Sequence, residues 1–168
     1  MARGKAERLG LEIDFREGDA ENLPFADDAF DGVACRHLLW TLPNPEKAIR
    51  EWVRVIRPGG RIVVIDGVWG KTFSRQRFGR ALLKVYRLLR HGFGAIRGGY
   101  DKDLGAKLPN HRGLNGEQIA AYLSALGVDA IRTQNLRHIR NIQNDHIPWL
   151  LKYSFYHPTY LVAGTVVK

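Results

Sequence analysis

The chain has 168 residues, of which 45% are hydrophobic and 26% are charged. That length is typical of one domain, and the composition is ordinary for a soluble globular protein. The single cysteine, Cys35, excludes an internal disulfide, and no apolar run approaches the ~20 residues of a membrane span. The amino terminus is too charged for a signal peptide, so we expect a cytoplasmic protein.

The formal net charge of +9 is concentrated in one part of the chain. Between Lys71 and Arg97 there are eight basic residues and no acidic one, which leaves only +1 for the remainder. The protein is therefore not uniformly basic, and this basic segment (residues 71–97) needs its own explanation.

The first 28 residues predict a helix, a strand and a loop. Residues 2–9 resemble the end of a helix, and Gly10 suits the left-handed position that follows one. Leu11, Ile13 and Phe15 alternate with charged residues, which predicts a strand with one exposed face at residues 11–17. Residues 19–28 are polar and contain a proline, which is typical of a loop.

Residues 33–65 predict strand, helix and strand in succession. The short apolar run at residues 33–35 is typical of a strand covered on both faces. Asn44 and Pro45 are a favourable helix cap and first helical residue. The helix places four apolar residues on one face: Ile49, Trp52, Val53 and Ile56. Residues 58–60, Pro-Gly-Gly, end it, and a buried strand follows at residues 62–65.

After Gly67 the alternation of strands and helices stops and then resumes. The basic segment predicts an amphipathic helix, and a glycine-rich loop follows it. Asn115-Gly-Glu-Gln is close to a capping box, and Gly127 ends the helix that it starts. Residues 131–136 and 160–167 predict the last two strands, with an aromatic-rich stretch at residues 149–160.

The alternation of strands and helices predicts an α/β fold with a mostly parallel sheet. Such sheets bind ligands at the carboxyl ends of their strands. Two pairs of polar or small residues directly follow predicted strands, Asp19-Ala20 and Arg36-His37. These pairs are the candidate contacts for a ligand.

Three stretches of this sequence resemble a known family. They are GDAENLPF at residues 18–25, FDGV at 30–33, and RHLLWTLPNPEKAIREWVRVIRPGGRIVVID at 36–66. They are similar to the Rossmann-like class I S-adenosylmethionine-dependent methyltransferases, particularly the small-molecule type 11 group. The resemblance implies a Rossmann-like, mostly parallel sheet with an antiparallel last strand. It also implies one partial domain, with a core at residues 1–66 and 115–168 and a helical lid insertion at 67–114.

The resemblance also implies S-adenosyl-L-methionine as the cofactor. In the family, an acidic and a small residue ending the third strand read the adenine ring, and they fall on Asp19 and Ala20. A carboxylate followed by a backbone N–H suits the donor and acceptor edge of that ring. The residue ending the fourth strand, beside the methionine part, falls on Arg36, with His37 next to it.

Each of these residues also has a simpler interpretation. Asp19 can start a turn without binding any ligand. His37 is either a base near the transferred methyl group, and thus the candidate catalytic residue, or a histidine packed at a strand end. For Cys35 we favour a core residue over a nucleophile.

The family's main cofactor site has no counterpart in this sequence. That site is a glycine-rich turn after the first strand, with an acidic residue that ends the second strand. The glycine clusters at residues 58–60 and 92–99 have the wrong order or spacing for it. We therefore hypothesise an amino-terminally shortened methyltransferase that lacks the family's first two strands and binds the cofactor weakly or not at all. Its exposed sheet edge would favour self-association.

The basic segment has several interpretations. It is a lid helix with solvated arginines, a surface that attracts an anionic substrate, or an attachment to an anionic membrane surface. Nucleic-acid binding is the least supported, because no binding motif accompanies the charge. Nearby candidates for substrate contact are Tyr100, His111 and Tyr153, each of which is alternatively a packing or surface residue. The six histidines show no metal-site spacing, so no metal is expected.

The resemblance implies transfer of a methyl group to an O, N or C atom of a small-molecule acceptor. A non-catalytic remnant or interaction module is the first alternative. The second is a peripheral membrane-associated methyltransferase of lipids or quinones that acts through its basic helix.

Overall fold

The described part of the chain is a mixed α/β structure built on a four-stranded sheet. A computed structural model describes residues 2–68, 85, 88, 108–110, 113–143 and 158–168. Apart from residues 85 and 88, which are helical, the predicted basic helix lies outside these residues, as do the glycine-rich loop and most of the aromatic stretch. None of the helices in the described ranges is long and apolar enough to cross a membrane.

The elements follow one another in an order close to the predicted one. They are α1 (Ala2–Arg8), β1 (Phe30–Arg36), a 3-10 turn (Leu39–Thr41), α2 (Pro45–Val55), β2 (Ile56–Gly67), α3 (Gly116–Ala125), β3 (Val128–Asn135), α4 (Arg137–Gln143) and β4 (Thr159–Val166).

The strands lie in the order β1-β2-β4-β3. β1 and β2 are parallel, and β4 runs antiparallel to both of its neighbours, β2 and β3. Three strands therefore share one direction, and the last strand along the chain opposes them. The predicted mostly parallel sheet with an antiparallel last strand is confirmed.

The helix starts that were predicted from local sequence are present. The Asn44 side chain accepts a hydrogen bond from the Lys47 N–H at 3.2 Å, and Pro45 is the first residue of α2. At α3, Asn115 and Gln118 form a reciprocal capping box, with bonds of 2.8 and 2.9 Å. Short polar side chains satisfy the N–H groups that a helix leaves unpaired at its start.

The core lies between the sheet and the two helices α2 and α3. α2 packs on β2, α3 packs on β3 and β4, and the two helices touch. The four predicted apolar residues of α2 are all buried, although Ile56 begins β2 rather than ending the helix. Burial of such side chains is the main stabilising contribution to a domain of this kind.

The predicted strand at residues 11–17 is wrong. These residues are not in a strand, and the side chains of Leu11 and Ile13 are 53% and 51% exposed. Apolar alternation shows which side chains can share a face, but a strand also needs a neighbour that bonds its N–H and C=O groups. Within the described residues, this stretch has no such neighbour.

The prediction that residues 33–35 are covered on both faces is also wrong. β1 is an edge strand of the described sheet, and Cys35 is its one buried residue. β1 lies close against β2, as Gly60 shows: a Cβ atom on this residue would lie 2.7 Å from the Asp31 carbonyl oxygen. The second glycine of Pro-Gly-Gly thus permits the close approach of β1 and β2.

Candidate functional site

Asp19 and Ala20 lie in a tight turn that precedes β1. The Asn22 N–H donates to the Asp19 carbonyl at 3.1 Å, and the Glu21 N–H donates to Asp19 Oδ1 at 2.9 Å. Asp19 is exposed and Ala20 is half-buried. The simpler interpretation of Asp19 as a turn-former is therefore realised, with one carboxylate oxygen engaged in the turn.

Helix α2 holds this turn against the sheet. The Trp52 indole N–H donates to the Ala20 carbonyl at 3.1 Å, and Glu51 Oε2 accepts from the Leu23 N–H at 3.0 Å. Glu21 Oε1 in turn accepts from the N–H of Asn44, the cap of α2, at 2.7 Å. The bonds made by Trp52 and Glu51, near the end of α2, and the bond at its cap, Asn44, therefore hold the turn along the side of this helix.

Arg54 binds the following part of the loop, residues 23–27, to α2. Its guanidinium donates to the carbonyls of Phe25 and Leu23 at 2.9 and 3.2 Å and pairs with Asp27 and Glu51. The hydrogen bonds that Arg54 donates to Glu51 and then to Asp27 raise the pKa of Arg54, and the bond to Glu51 lowers the pKa of that carboxyl. The planar fork of arginine suits several acceptors at once.

Arg36 and His37 lie where β1 ends. Arg36 is the last residue of the strand and is exposed. His37 has a left-handed backbone with φ of 53°, and its N–H donates to the Ile65 carbonyl of β2 at 2.9 Å. A non-glycine residue in this conformation is strained, which is frequent at functional sites. The turn brings the imidazole to the end of β2.

Asp66, at the end of β2, is the site residue that sequence reasoning missed. Its side chain is fully buried, and its Oδ1 accepts from the Gly67 N–H at 2.8 Å and lies 3.7 Å from His37 Nδ1. Desolvation raises the pKa of Asp66, partly offset by the Gly67 N–H and by His37. An acid directly after the apolar run at residues 62–65 was the available signal.

Cys35 has the properties of a core residue. It is 7% exposed, and burial together with the nearby Asp66 charge raises the pKa of its thiol to about 12. A thiol with such a pKa is protonated at neutral pH and is a poor nucleophile. Tyr160 is buried beside the same carboxylate, and its hydroxyl donates to the Leu114 carbonyl.

A cavity of about 560 Å³ lies on the open side of β1. It is bounded by residues 14–18, by the loop at residues 20–25 and by Phe30 at the start of the strand. Its volume is in the range of small-molecule sites. Of the four predicted cofactor contacts only Ala20 lines it, so the cavity and the carboxyl edge with His37 are separate features.

Three predicted residues, Tyr100, His111 and Tyr153, lie outside the described part of the chain. Within the described ranges, no group of three or more His, Cys, Asp and Glu side chains could hold a metal ion. The expected absence of a metal stays a prediction.

Comparisons with known proteins agree with this fold. Residues 1–64 match the family model described as a methyltransferase domain. A demethylmenaquinone methyltransferase of Thermus thermophilus is 42% identical over 103 residues, which cover 58% of this chain and 46% of that protein. A ubiquinone/menaquinone biosynthesis C-methyltransferase of Bdellovibrio bacteriovorus is 38% identical over 65 residues, which cover 39% of this chain and 28% of that protein. The chain thus spans about half or less of the length of these relatives.

Solved structures share the architecture at low identity. The YcgJ protein from Bacillus subtilis superposes with a TM-score of 0.56 at 20% identity, covering 99% of this chain and 77% of its own. The [4+2]-cyclase SpnF superposes with a TM-score of 0.58 at 20% identity, and the match covers 99% of this chain and 61% of that protein. The described fold is that of a Rossmann-like α/β protein. Over residues 1–64 the chain is similar to the methyltransferase domain family, and the relatives that align with it carry methyltransferase names.

Proposed function

We propose that this protein transfers a methyl group from S-adenosyl-L-methionine to a small-molecule acceptor. The observation that carries the proposal is the carboxyl edge of the sheet, where Arg36 and His37 at the end of β1 lie beside Asp66 at the end of β2. Ligands of α/β sheets bind at this edge. The names of the relatives support methyl transfer as the reaction.

The described residues fit part of this cofactor. Asp19 uses Oδ1 within its own turn, which leaves Oδ2 as an acceptor for the adenine amine. The buried acid Asp66, behind His37, suits a site that receives a cationic sulfonium. Asp19, Ala20 and the backbone of Arg36 would hold the cofactor from this side. In the ranges that the structure describes, no glycine-rich turn faces them from the other side.

The chemistry needs orientation and a proton acceptor. When bound, the cofactor supplies a methyl group on sulfur, and the electron pair of the broken S–C bond stays on that sulfur. The acceptor atom forms the new bond to the methyl carbon with its own electron pair and releases a proton. His37 takes that proton as a general base, a role that typically contributes ~10²–10⁴-fold to a rate. Orientation of the two reactants contributes the rest.

The acceptor is the finer part of the proposal. The quinone methyltransferases among the relatives favour a ring carbon of a demethylmenaquinone-like molecule. We also propose that residues 67–114 form the lid over this acceptor, with Tyr100 and His111 in reach of it, while Tyr153 contacts it from the aromatic stretch. Residues 1–66 and 115–168 would then be the core of one domain.

The basic segment favours an anionic partner. Eight positive charges without an acidic residue attract either an anionic acceptor or an anionic membrane surface where a quinone would reside. Co-sedimentation with vesicles separates the two, because only the membrane alternative predicts binding that requires anionic lipid. Cytoplasmic location, inferred from the single cysteine, belongs to the same proposal, and no nucleic-acid partner is part of it.

A non-catalytic interaction module is the second candidate. The exposed edge strand β1 and the exposed Leu11 and Ile13 support it, since unpaired edges and apolar patches attract other chains. Sedimentation velocity at rising concentration measures this directly. A monomer at all concentrations would contradict self-association through this edge.

Transfer of a labelled methyl group tests the proposed function. We expect incorporation of label from methyl-labelled S-adenosylmethionine into a detergent-dispersed demethylmenaquinone analogue, and a loss of ~10²-fold in His37→Gln. His138→Gln, in the exposed α4, is the matched control and should keep the wild-type rate. No incorporation into this or other small acceptors would favour the non-catalytic candidate.

A further inference from the structure

Asp66 and His37 form a pair that joins a fully buried acid to a partly exposed imidazole. The Asp66 side chain has no solvent exposure, and that of His37 is 27% exposed. The two belong to adjacent parallel strands, β2 and β1, and the strained turn at His37 directs its ring toward the end of β2. His37 Nδ1 is the ring nitrogen that faces Asp66 Oδ1, at 3.7 Å.

The carboxylate of Asp66 is only partly satisfied by the protein. Oδ1 accepts from Gly67, whereas Oδ2 is buried and has no hydrogen-bond partner among the described residues. Burying a charged carboxylate typically costs several kcal/mol, which the bond from Gly67 and the nearby His37 offset only in part. An apolar residue would pack at this position at lower cost, so the buried acid indicates a role other than stability.

The groups around Asp66 leave His37 as its counter-charge. Cys35 on β1 and Tyr160 on β4 face the same carboxylate, and burial, with a smaller contribution from the Asp66 charge, raises the pKa of both. A neutral thiol and a neutral phenol cannot balance a negative charge. Among the described groups that face Asp66, His37 is the one that can become a cation.

We infer that Asp66 is a positioning residue that holds the proton of His37 on Nδ1 and stabilises the imidazolium formed during methyl transfer. The role of Asp66 in the reaction rests on the proposed function, but the pairing of Asp66 with His37 does not. With a proton on Nδ1, Nε2 carries the lone pair. That lone pair forms the new N–H bond when the acceptor gives up its proton, and the positive charge then lies beside Asp66.

The tautomer of His37 is the direct test. In ¹⁵N NMR spectra of the full chain, recorded at a pH where the imidazole ring is neutral, we expect one tautomer of His37, with the proton on Nδ1. The signal is assigned by its disappearance in His37→Gln. In Asp66→Asn the single tautomer should be lost, as happens when an asparagine replaces the orienting acid of a His–Asp pair.

Asp31→Asn, which changes an exposed acid of β1, is the matched control and should leave the His37 tautomer unchanged. A proton on Nε2 in the wild type, or an unchanged tautomer in Asp66→Asn, would overturn the inference. If Asp66→Asn does not fold, the wild-type tautomer still decides. Where methyl transfer is detected, Asp66→Asn should lower kcat ~10²-fold and change KM less than twofold. A single Nδ1–H tautomer without any methyl transfer would instead count against the proposed function alone.

Discussion

Cys35, Asp66 and Tyr160 are titratable side chains from three neighbouring strands that share one buried environment. Burial favours the uncharged form of each, and the Asp66 charge adds to this effect on the other two. Only Asp66 has a partner that can become a cation, His37, which reaches toward solvent. At this scale burial is common to all three groups, and the neighbouring His37 is what distinguishes Asp66 from the inert thiol.

The reactivity of Cys35 follows from its buried thiol. Because its pKa is raised from 9.0 to about 12, the thiolate fraction near neutral pH falls ~10³-fold. We expect modification by a thiol reagent to be slower in the folded protein by at least this factor than in denaturant. Absorbance of the released thiol product measures both rates. Equal rates before and after unfolding would show that Cys35 is not buried.

The burial of Asp66 makes stability depend on pH in a specific direction. Since its folded pKa is raised above the unfolded value of ~3.9, its contribution is fully present below that value and is lost as the pH rises through the folded pKa. Asp66→Asn removes this loss of stability, because asparagine does not ionise. The variant should therefore gain stability relative to the wild type as the pH rises from about 4 toward neutrality, as measured by urea denaturation. A difference that is independent of pH, or one with the opposite trend, contradicts this account.

At the scale of elements, α2 determines where the Asp19-Ala20 turn lies. Trp52, Glu51 and Arg54 contact the loop from successive positions on the helix, through one indole, one carboxylate and one guanidinium. The loop has no regular structure, so hydrogen bonds with these three side chains hold it in place, as hydrogen bonds from a neighbouring strand hold an edge strand.

Arg54→Lys should loosen this loop. Lysine keeps the charge but loses the planar fork, so it cannot reach the Leu23 and Phe25 carbonyls and the two acids together. We expect amide hydrogen exchange at Leu23 and Phe25 to become several-fold faster, with the strands unaffected. Arg50→Lys, an exposed change on the same helix, is the control. Unchanged exchange in Arg54→Lys would assign the order of the loop to other contacts.

Local sequence predicted the helix starts well because their causes are local. Asn44 and Asn115 cap their helices through bonds that span three residues. The strand at residues 11–17 was wrong because pairing with a neighbour is a long-range property that alternation does not contain. Arg36 ends β1 and His37 follows it, as expected, whereas Asp19 and Ala20 lie in a turn that follows no strand of the described chain. That these residues bind the cofactor stays a prediction. The Asp66–His37 pairing depends on the backbone turn at His37, which a sequence pattern does not reveal.

At the scale of the whole molecule, the described residues place the proposed cofactor contacts on one side of the proposed site. Arg36 and His37 lie where β1 ends, while Ala20 of the preceding turn and Phe30 at the start of β1 line an open cavity of about 560 Å³. A one-sided site makes fewer contacts than an enclosed one, so it binds a ligand weakly but at a defined place.

Titration of the ¹⁵N-labelled chain with S-adenosylhomocysteine, followed by NMR and calorimetry, tests the central claim most directly. We expect saturable binding with a Kd on the order of 0.1–1 mM, about 4–5.5 kcal/mol. The chemical shifts should change at Ala20, Arg36 and His37, and Asp19→Asn should weaken binding several-fold, whereas Asp31→Asn should not. Sub-micromolar affinity would contradict a one-sided site. No saturable binding, or shifts confined to other residues, would contradict the assignment of the cofactor to this edge.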